Sequence, residues 1–339
     1  MTLPGDPEGP RLPAVARILG FGGYVPKRVV TNDDWSKWVD TTDEWITQRT
    51  GIKERRFAAD DESTLTLATE AAVIALKDAD LAPDDIDEIV LATDTPEMMT
   101  PDTAALVQNR LGCRNIPTYD LGGSGCAGFV QALDVAKSRI AVAPKKILVI
   151  GVELISRMIS HEDRSTCVLF GDGAGAVVLG PEGGRAEVVG AVAGTDGSAA
   201  EILTLAAGGT RNPFNSESLA SGDYNRLVMD GRRIFVEAVK RMSESAVEVV
   251  ERVGRSLSDV NLVIPHQANL RIIEAVRKKL GLEEDQVYVN VQDYGNTGSA
   301  TVPFAMWEAV EKGRVREGDF VVLTAFGAGF HWAAAAVQF

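Results

Sequence analysis

The order of apolar segments in this chain occurs twice. In residues 72–138 a helix pattern is followed by an apolar strand, a helix ending at Leu-Gly, a second strand, a glycine turn and another helix. Residues 246–312 follow the same order. Each part then closes with two hydrophobic strands, at 146–151 and 175–180 in the first part and at 320–324 and 332–337 in the second. The simplest fold that accounts for this pattern is a duplicated α/β unit.

The strand segments indicate how the two halves are layered. They are short, continuous apolar runs separated by helical segments, a pattern typical of strands covered by helices on both faces. We therefore predict an α/β fold of five layers, α/β/α/β/α. A glycine-rich segment near residue 184 marks the boundary between the halves. The predicted parts are a loose tail at 1–13, a first half at 14–184 and a second half at 185–339.

Composition limits the class of function. At 339 residues the chain can bury a large core, and its 45% hydrophobic content is ordinary for a globular protein. We find no apolar run long enough for a membrane span. The formal net charge of −14 argues against nucleic-acid binding. The three cysteines have neither paired nor metal-binding spacing, so we expect no metal site and favour reduced thiols in a cytoplasm.

Cys126 lies where a strand pattern gives way to a glycine turn and then to a helix. The positive end of a helix dipole at that place stabilises a thiolate, and the flanking glycines allow a substrate to approach closely. The alternative is a buried structural cysteine, since free cysteines are often found in protein cores. This segment alone leaves both interpretations open.

Two residues of the second half are candidates to act with Cys126. His266 follows an apolar strand, and strand ends are where catalytic groups of α/β proteins gather. Asn296 lies in the glycine turn that corresponds to the Cys126 turn. The alternatives are a histidine ring that merely packs and ordinary turn chemistry at Asn296. If both glycine turns face a shared interface, we expect Cys126, His266 and Asn296 to meet there.

A third small-residue turn, around Ala328, follows the strand at 320–324. Such a turn exposes backbone N–H groups, which can form an oxyanion hole. The alternative is a plain turn.

Seven short segments carry a resemblance that covers about residues 14 to 339. They lie at 43–52, 126–129, 163–166, 170–175, 265–271, 295–297 and 326–330. With Cys126, His266 and Asn296 in that order, the chain resembles the β-ketoacyl-acyl-carrier-protein synthases of type III, in the thiolase superfamily. The Cys-His-Asn set separates this family from the elongating condensing enzymes, which use Cys-His-His, and from thiolases, which use a second cysteine. The resemblance implies a thiolase-like fold.

The resemblance also implies a two-step reaction without a cofactor. Cys126 attacks the thioester of a primer acyl-CoA and becomes acylated, with the backbone N–H groups of Cys126 and Ala328 as the oxyanion hole. The family position of Ala328 is often glycine. A malonyl thioester on acyl carrier protein then loses carbon dioxide, while His266 Nε2 and Asn296 Nδ2 donate to its thioester oxygen. The resulting β-ketoacyl thioester initiates fatty acid synthesis.

Four positions are implied to bind CoA. In the family the adenine stacks between a tryptophan and an arginine, which here are Trp45 and Arg164. Arg49 and Thr50 are then expected near the nucleotide end. Without the resemblance, Trp45 could simply pack on the surface and Arg164 could pair with Asp163.

Three further positions are implied to shape the active site. Asn269 and Phe326 are expected to support it. In the family a residue at the position of Thr100, contributed across a homodimer interface, closes the far end of the acyl pocket. The small Thr100 predicts room for a branched or longer primer, unless Met98 and Met99 refill the space.

Acyl carrier protein is acidic, and so is this chain. Docking between the two therefore requires a local patch of basic residues on this chain. Arg271 and Lys278 are seven residues apart on a predicted helix and share a face. Arg232 and Arg233 begin a second basic cluster. Where the family usually has a basic residue, this chain has Val236. The alternative is that these charges lie on solvated helix faces.

Two other functions stay open at this point. One is a different enzyme on the same scaffold, such as an acyltransferase or starter-unit condensing enzyme of polyketide or alkylquinolone type. The other is a non-catalytic scaffold subunit, although such subunits typically lack the nucleophile that this chain retains.

Overall fold

The computed structural model describes residues 14–339, so the predicted tail at 1–13 lies outside the described residues. The described chain contains thirteen β-strands, which are β1 (Arg17–Tyr24), β2 (Arg28–Thr31), β3 (Glu54–Phe57), β4 (Glu88–Ala92), β5 (Thr118–Leu121), β6 (Ile147–Leu154), β7 (Asp172–Gly180), β8 (Ala186–Thr195), β9 (Leu203–Leu205), β10 (Leu227–Met229), β11 (Leu262–Pro265), β12 (Phe320–Gly327) and β13 (His331–Gln338). It also contains ten α-helices, which are α1 (Asn32–Trp35), α2 (Asp43–Thr50), α3 (Thr64–Asp78), α4 (Thr103–Leu111), α5 (Gly128–Val142), α6 (Ser216–Ser221), α7 (Gly231–Arg252), α8 (Leu270–Leu280), α9 (Val291–Tyr294) and α10 (Thr301–Glu311). None of these helices has the length and apolar composition that crossing a membrane requires.

Nine of the strands form one sheet, and their order shows the duplication. The order is β5-β4-β6-β7-β1-β8-β13-β12-β11. In the first half β4, β6, β7 and β1 are successive neighbours, and in the second half β11, β12, β13 and β8 are neighbours in the same way. The halves join where β1 meets β8, through the pairs Arg17–Glu187 and Ile18–Ala186. The two halves of the chain therefore fold alike.

The second half departs from the prediction at one strand. The second strand expected within residues 246–312, around Tyr288, is reduced to a single bridge between Val287 and Val263. The buried Gln267 side chain pairs with this segment instead: its amide donates to the Tyr288 carbonyl (3.1 Å), and its oxygen accepts from the Asn290 amide (3.0 Å). A side chain thus satisfies backbone groups that a longer ladder would pair.

Three buried clusters define the layers. Helices α5 and α10 lie between the two halves of the sheet and share a core with both, which includes Phe129, Leu133, Val302 and Leu323. The outer face of the first half is covered by α3 and α4, and that of the second half by α7 and α8. Strands covered on both faces need no polar alternation, which explains their continuous apolar runs. The predicted five-layered α/β/α/β/α architecture is confirmed.

The central helices position the functional residues. α5 and α10 begin in the middle layer, just after the turns that carry Cys126 and Asn296. The short connection between β11 and α8 holds His266. It ends in an N-cap, where Asn269 Oδ1 accepts from the Ile272 amide (3.0 Å) and so fixes the start of α8.

Candidate active site

The turns that precede α5 and α10 face each other in the middle layer. Cys126 Sγ in the first turn lies 4.0 Å from Asn296 Oδ1 in the second. His266 enters beside them from the end of β11, and all three side chains line one cavity. The structure thus brings together the three residues that the sequence predicts to meet.

Backbone contacts hold the Asn296 turn against the first half of the chain. The Asn296 amide donates to the Leu169 carbonyl (2.9 Å), and the Asn296 carbonyl accepts from the Gly171 amide (3.0 Å). Its side-chain Oδ1 accepts from the Gly298 amide (2.8 Å). Since Oδ1 is used within the turn, Nδ2 is the side-chain atom of Asn296 that can donate to a substrate.

Burial makes His266 a neutral residue. It is 3% exposed, and its Nδ1 lies 2.6 Å from the Thr301 hydroxyl. Its backbone amide donates to the Thr324 carbonyl (2.7 Å), which ties it to β12. Burial lowers the pKa of the imidazole to about 3, because the charged form loses its hydration. At neutral pH the ring therefore carries no charge.

The electrostatics of Cys126 differ from the prediction based on the helix dipole. Burial raises the pKa of the thiol, and the carboxylates of Asp94 and Glu153 raise it further. The pKa of Glu153 is itself raised to about 8, first by burial and then by Asp94. Burial likewise raises the pKa of Asp94. These effects oppose the dipole of α5, so the pKa of the resting thiol lies above its usual range.

Glu153 connects the surroundings of the nucleophile with the opposite turn. Its carboxylate accepts from the Thr95 hydroxyl (2.6 Å), the Asp94 amide (3.0 Å) and the Ser299 hydroxyl (3.0 Å). Ser299 belongs to the turn before α10, so this buried acid links the two halves beside Cys126. Sequence reasoning missed both acids, because nothing in their local sequence marks them.

Two glycines allow the nucleophile turn and the end of β12 to touch. A Cβ on Gly327 would lie 2.3 Å from the Cys126 nitrogen, and a Cβ on Gly125 would lie 2.4 Å from the Ala328 nitrogen. Neither position has room for a side chain. The close approach brings the backbone N–H groups of Cys126 and Ala328 near each other, as an oxyanion hole requires.

Two cavities meet at Cys126. The first, of about 550 Å³, contains the three candidate catalytic side chains, and we name it the basic cavity because three arginines also line it, Arg49, Arg232 and Arg271. The second, of about 600 Å³, we name the apolar cavity after its main lining, which includes Met98, Met99, Ile155, Ile159 and Leu205. A nucleophile at their junction can pass an acyl chain into the apolar cavity while the polar carrier stays in the basic one.

Comparisons with known proteins show the family. Residues 119–197 match the sequence profile of 3-oxoacyl-acyl-carrier-protein (ACP) synthase III, and residues 250–339 match that of its C-terminal part. The beta-ketoacyl-acyl-carrier-protein synthase III of Caldanaerobacter subterraneus subsp. tengcongensis is 46% identical over 324 residues, which cover 95% of this chain and 97% of that protein. The chain belongs to the 3-oxoacyl-acyl-carrier-protein synthase III family.

Two further synthase III proteins agree with this assignment. The crystal structure of the enzyme from Aquifex aeolicus VF5 superimposes with a TM-score of 0.87 at 43% identity, covering 96% of this chain and 100% of that one. The protein from Oleidesulfovibrio alaskensis is 47% identical over 321 residues, which cover 94% of this chain and 97% of that protein. The predicted family, thiolase-like fold and acyltransferase class are confirmed.

The structure assembles most of the CoA-binding positions expected for a synthase III. The guanidinium carbons of Arg164 and Arg49 lie 4.7 and 4.8 Å from the ring centre of Trp45. Arg164 also bonds the Asp40 carbonyl. A ring sandwiched between Trp45 and Arg164 needs about 7 Å, two stacking distances, so Arg164 must move aside for an adenine. Thr50 is 4% exposed, and its hydroxyl donates to the Ile46 carbonyl within α2 (2.7 Å).

The positions expected to shape the site have different outcomes. Asn269 and Phe326 both line the basic cavity of this synthase III. Thr100 does not line the apolar cavity, where Met98 and Met99 stand instead. The prediction for Thr100 concerns a residue contributed across a homodimer interface, and it stays a prediction.

Half of the expected docking residues lie at the basic cavity of this synthase III. Arg232 of α7 and Arg271 of α8 line it, whereas Arg233 and Lys278 do not. Val236, which replaces the basic residue usual in the family, also lines it and is 57% exposed. The positive charge that lines the basic cavity thus comes from α2, α7 and α8.

Proposed function

We propose that this synthase III joins a primer acyl-CoA to malonyl-acyl carrier protein, and that Cys126 carries the primer between the two steps. The observation that supports this most is the position of Cys126 at the junction of the basic and apolar cavities. Both thioesters can use the basic cavity in turn while the acyl chain occupies the apolar one. Substrates that share one opening enter one after the other, which predicts ping-pong kinetics.

In the first step Cys126 attacks the thioester carbonyl of acyl-CoA. The N–H groups of Cys126 and Ala328 stabilise the oxyanion, the thiol proton passes to the CoA sulfur, and CoA leaves as a thiol. Since burial and neighbouring acids keep the pKa of Cys126 high, the proton leaves Sγ only as the bond to the carbonyl carbon forms.

In the second step malonyl-acyl carrier protein enters the basic cavity. Its carboxylate leaves as carbon dioxide, and the electron pair moves onto the thioester oxygen, where Asn296 Nδ2 and His266 Nε2 donate. The carbanion attacks the acyl carbonyl, a C–C bond forms, the bond to Cys126 breaks, and the released thiolate takes up a proton from water. The product is a β-ketoacyl thioester on the carrier.

Partner binding is part of the proposal. Arg232 and Arg271, together with the exposed Val236, form the docking surface for the acidic carrier protein. Trp45 and Arg164 hold the CoA adenine. The family resemblance also favours a homodimer. The two steps use residues of the chain and its thioester substrates, and we propose no further cofactor.

The decisive experiment measures what becomes attached to Cys126. We expect intact-protein mass spectrometry after exposure to a mixed acyl-CoA pool to show one acyl adduct, mapped to Cys126 and absent from Cys126→Ser. Iodoacetamide should label Cys126, and acyl-CoA should block that labelling. An unlabelled, unacylated Cys126 in the folded protein would contradict the proposal.

Carrier docking has a matched pair of variants on α8. Arg271→Ala removes a charge that lines the basic cavity, and Lys278→Ala removes one that does not. We expect Arg271→Ala alone to raise KM for malonyl-acyl carrier protein, with little effect on acylation by acyl-CoA. Equal effects of the two substitutions would mean that only net charge matters. Use of malonyl-CoA as readily as the carrier-bound form would favour the polyketide-type alternative.

Primer choice is tested by comparing acetyl-, isobutyryl- and octanoyl-CoA. The size and apolar lining of the second cavity support a branched or longer primer. A strict preference for acetyl-CoA would overturn this part of the proposal.

A further inference from the structure

Arg55 in β3 is a buried charged residue that the reaction scheme does not use. It is 0% exposed. Its guanidinium donates to the Val168 carbonyl (2.6 Å), the Val30 carbonyl (3.3 Å) and Asn32 Oδ1 (2.8 Å). Within residues 14–339 these hydrogen bonds all go to neutral oxygen atoms. The guanidinium therefore serves to tie separate segments of the chain together.

One of the three acceptors belongs to the segment that holds Asn296. Val168 is followed by Leu169, whose carbonyl accepts from the Asn296 amide (2.9 Å), and the Gly171 amide donates to the Asn296 carbonyl (3.0 Å). Two consecutive carbonyls of one short segment thus bind the guanidinium and the Asn296 backbone. The position of this segment sets the position of Asn296.

The stem of the Arg55 side chain lies against the same place. A Cβ on Gly171 would lie 3.1 Å from Arg55 Cβ, and a Cβ on Gly295 would lie 3.4 Å from it. These glycines belong to the two segments that meet at Asn296, so Arg55 packs closely on both. Packing limits how near the segments come to each other, and the hydrogen bond to Val168 restrains their direction.

The charge of Arg55 has a cost that packing alone does not explain. An uncharged side chain of similar length would fill this space without the loss of hydration. Burial lowers the pKa of Arg55 to about 10, so the guanidinium still carries its charge at neutral pH. What arginine adds is a rigid fork of donors, which holds acceptors from separate parts of the chain at the same time.

We infer that Arg55 is a positioning residue for Asn296, which directs Asn296 Nδ2 toward the thioester oxygen of the malonyl substrate by holding residues 168–171. The inference rests on the proposed function and deepens it, because it assigns Arg55 to the second step. The first step depends on the amides of Cys126 and Ala328, which the close approach of β12 to the nucleophile turn brings together. Acylation should therefore depend little on Arg55.

The CoA-binding helix α2 has contacts that do not involve Arg55. Asn32, which accepts from the guanidinium, also donates to Asp43 Oδ1 in α2 (2.8 Å) and to the Ile52 carbonyl (2.7 Å). These two hydrogen bonds remain when the guanidinium is removed. We therefore expect substitution of Arg55 to leave KM for acyl-CoA near its unmodified value.

The first test compares the two half-reactions in Arg55→Met, which keeps an extended side chain but has no donor. A misplacement of about 1 Å can cost about 100-fold in rate. We expect condensation by pre-acylated enzyme with malonyl-acyl carrier protein to slow about 10- to 100-fold, and single-turnover acylation of Cys126 to stay close to the unmodified rate. The loss should be in kcat, with KM for the carrier nearly unchanged, because Asn296 acts on charge that develops in the transition state. Arg55→Lys keeps a donor but not the fork, so it should recover part of the condensation rate.

Phe57→Leu is the matched control. Phe57 is the next buried residue along β3, and its ring centre lies 6.0 Å from that of Trp35 and 5.8 Å from that of His161. The substitution should lower the temperature of unfolding, because packing is lost, and leave the ratio of the two half-reaction rates unchanged. A change in that ratio as large as in Arg55→Met would overturn the inference, because general loosening of this core would then be enough.

A double substitution shows whether Arg55 acts through Asn296. In Asn296→Ala the group to be positioned is absent, so the addition of Arg55→Lys should slow condensation little further. This test also holds if Arg55→Met does not fold. Additive losses in the double variant, or equal losses in acylation and condensation in a single Arg55 variant, would overturn the inference. Failure of the unmodified protein to acylate Cys126 would instead refute the proposed function.

Discussion

Replacing Gly327 by alanine tests whether its close approach to the nucleophile turn builds the oxyanion hole. The new Cβ would lie 2.3 Å from the Cys126 nitrogen and 2.9 Å from the Gly125 carbonyl carbon. Van der Waals contact needs about 3.5 Å, so β12 and the turn must separate by about 1 Å. Gly327 has a φ of −156°, which alanine adopts readily, so the effect is steric alone.

A separation of this size moves the N–H groups of Cys126 and Ala328 away from a shared acceptor. Loss of one oxyanion-hole donor typically costs about 100- to 1000-fold in rate, so we expect acylation of Cys126 to slow by about that factor. Overpacking should also lower the free energy of unfolding by about 1–3 kcal/mol.

The assay is the single-turnover appearance of the Cys126 acyl adduct, with thermal unfolding measured on the same samples. Gly197→Ala is the matched control, because its Cβ would meet open space and its φ is not positive. We expect the control to acylate like the unmodified protein. If folded Gly327→Ala acylates Cys126 at nearly the unmodified rate, the reasoning is refuted, because the backbone nitrogens of Cys126 and Ala328 would then not need their present spacing.

Three more substitutions follow from the geometry. Asp94→Asn removes a negative charge that raises the pKa of Cys126, so the pKa of the thiol should fall. Iodoacetamide should then label Cys126 several-fold faster at a given mildly alkaline pH, and an unchanged labelling rate would contradict the electrostatics. Trp45→Ala should raise KM for acyl-CoA about 5- to 100-fold through lost adenine stacking, and a loss confined to kcat would argue against that role. Asn296→Ala should slow condensation far more than acylation, as rapid mixing of pre-acylated enzyme with malonyl-acyl carrier protein can show.

Much of the fold could be predicted because the same order of apolar strand and helix segments occurs in both halves of the sequence. Apolar runs of strand length between helical segments specify layers covered on both faces. The same pattern located Cys126 and Asn296 in corresponding turns, and the structure places those turns at the start of the two central helices. The strand expected near Tyr288 does not form, and the reason is non-local. The side chain of Gln267, from the connection between β11 and α8, makes the hydrogen bonds that a neighbouring strand would make.

The parts of the site that could not be predicted depend on packing across the halves. Asp94 and Glu153 act on Cys126 only because the ends of β4 and β6 converge there, and Ser299 of the other half completes the arrangement. The helix dipole was a correct local feature, but burial and two nearby acids raise the pKa of the thiol against it.

The active site is assembled across the two halves because neither half holds both functions. Cys126 precedes α5 in the first half, whereas Asn296 precedes α10 and His266 follows β11 in the second. Burial raises the pKa of the thiol and lowers that of the imidazole, so neither group favours its charged form before a thioester binds. Each half alone would hold either a nucleophile without the donors or the donors without a nucleophile. The shared middle layer is therefore where the chemistry can begin.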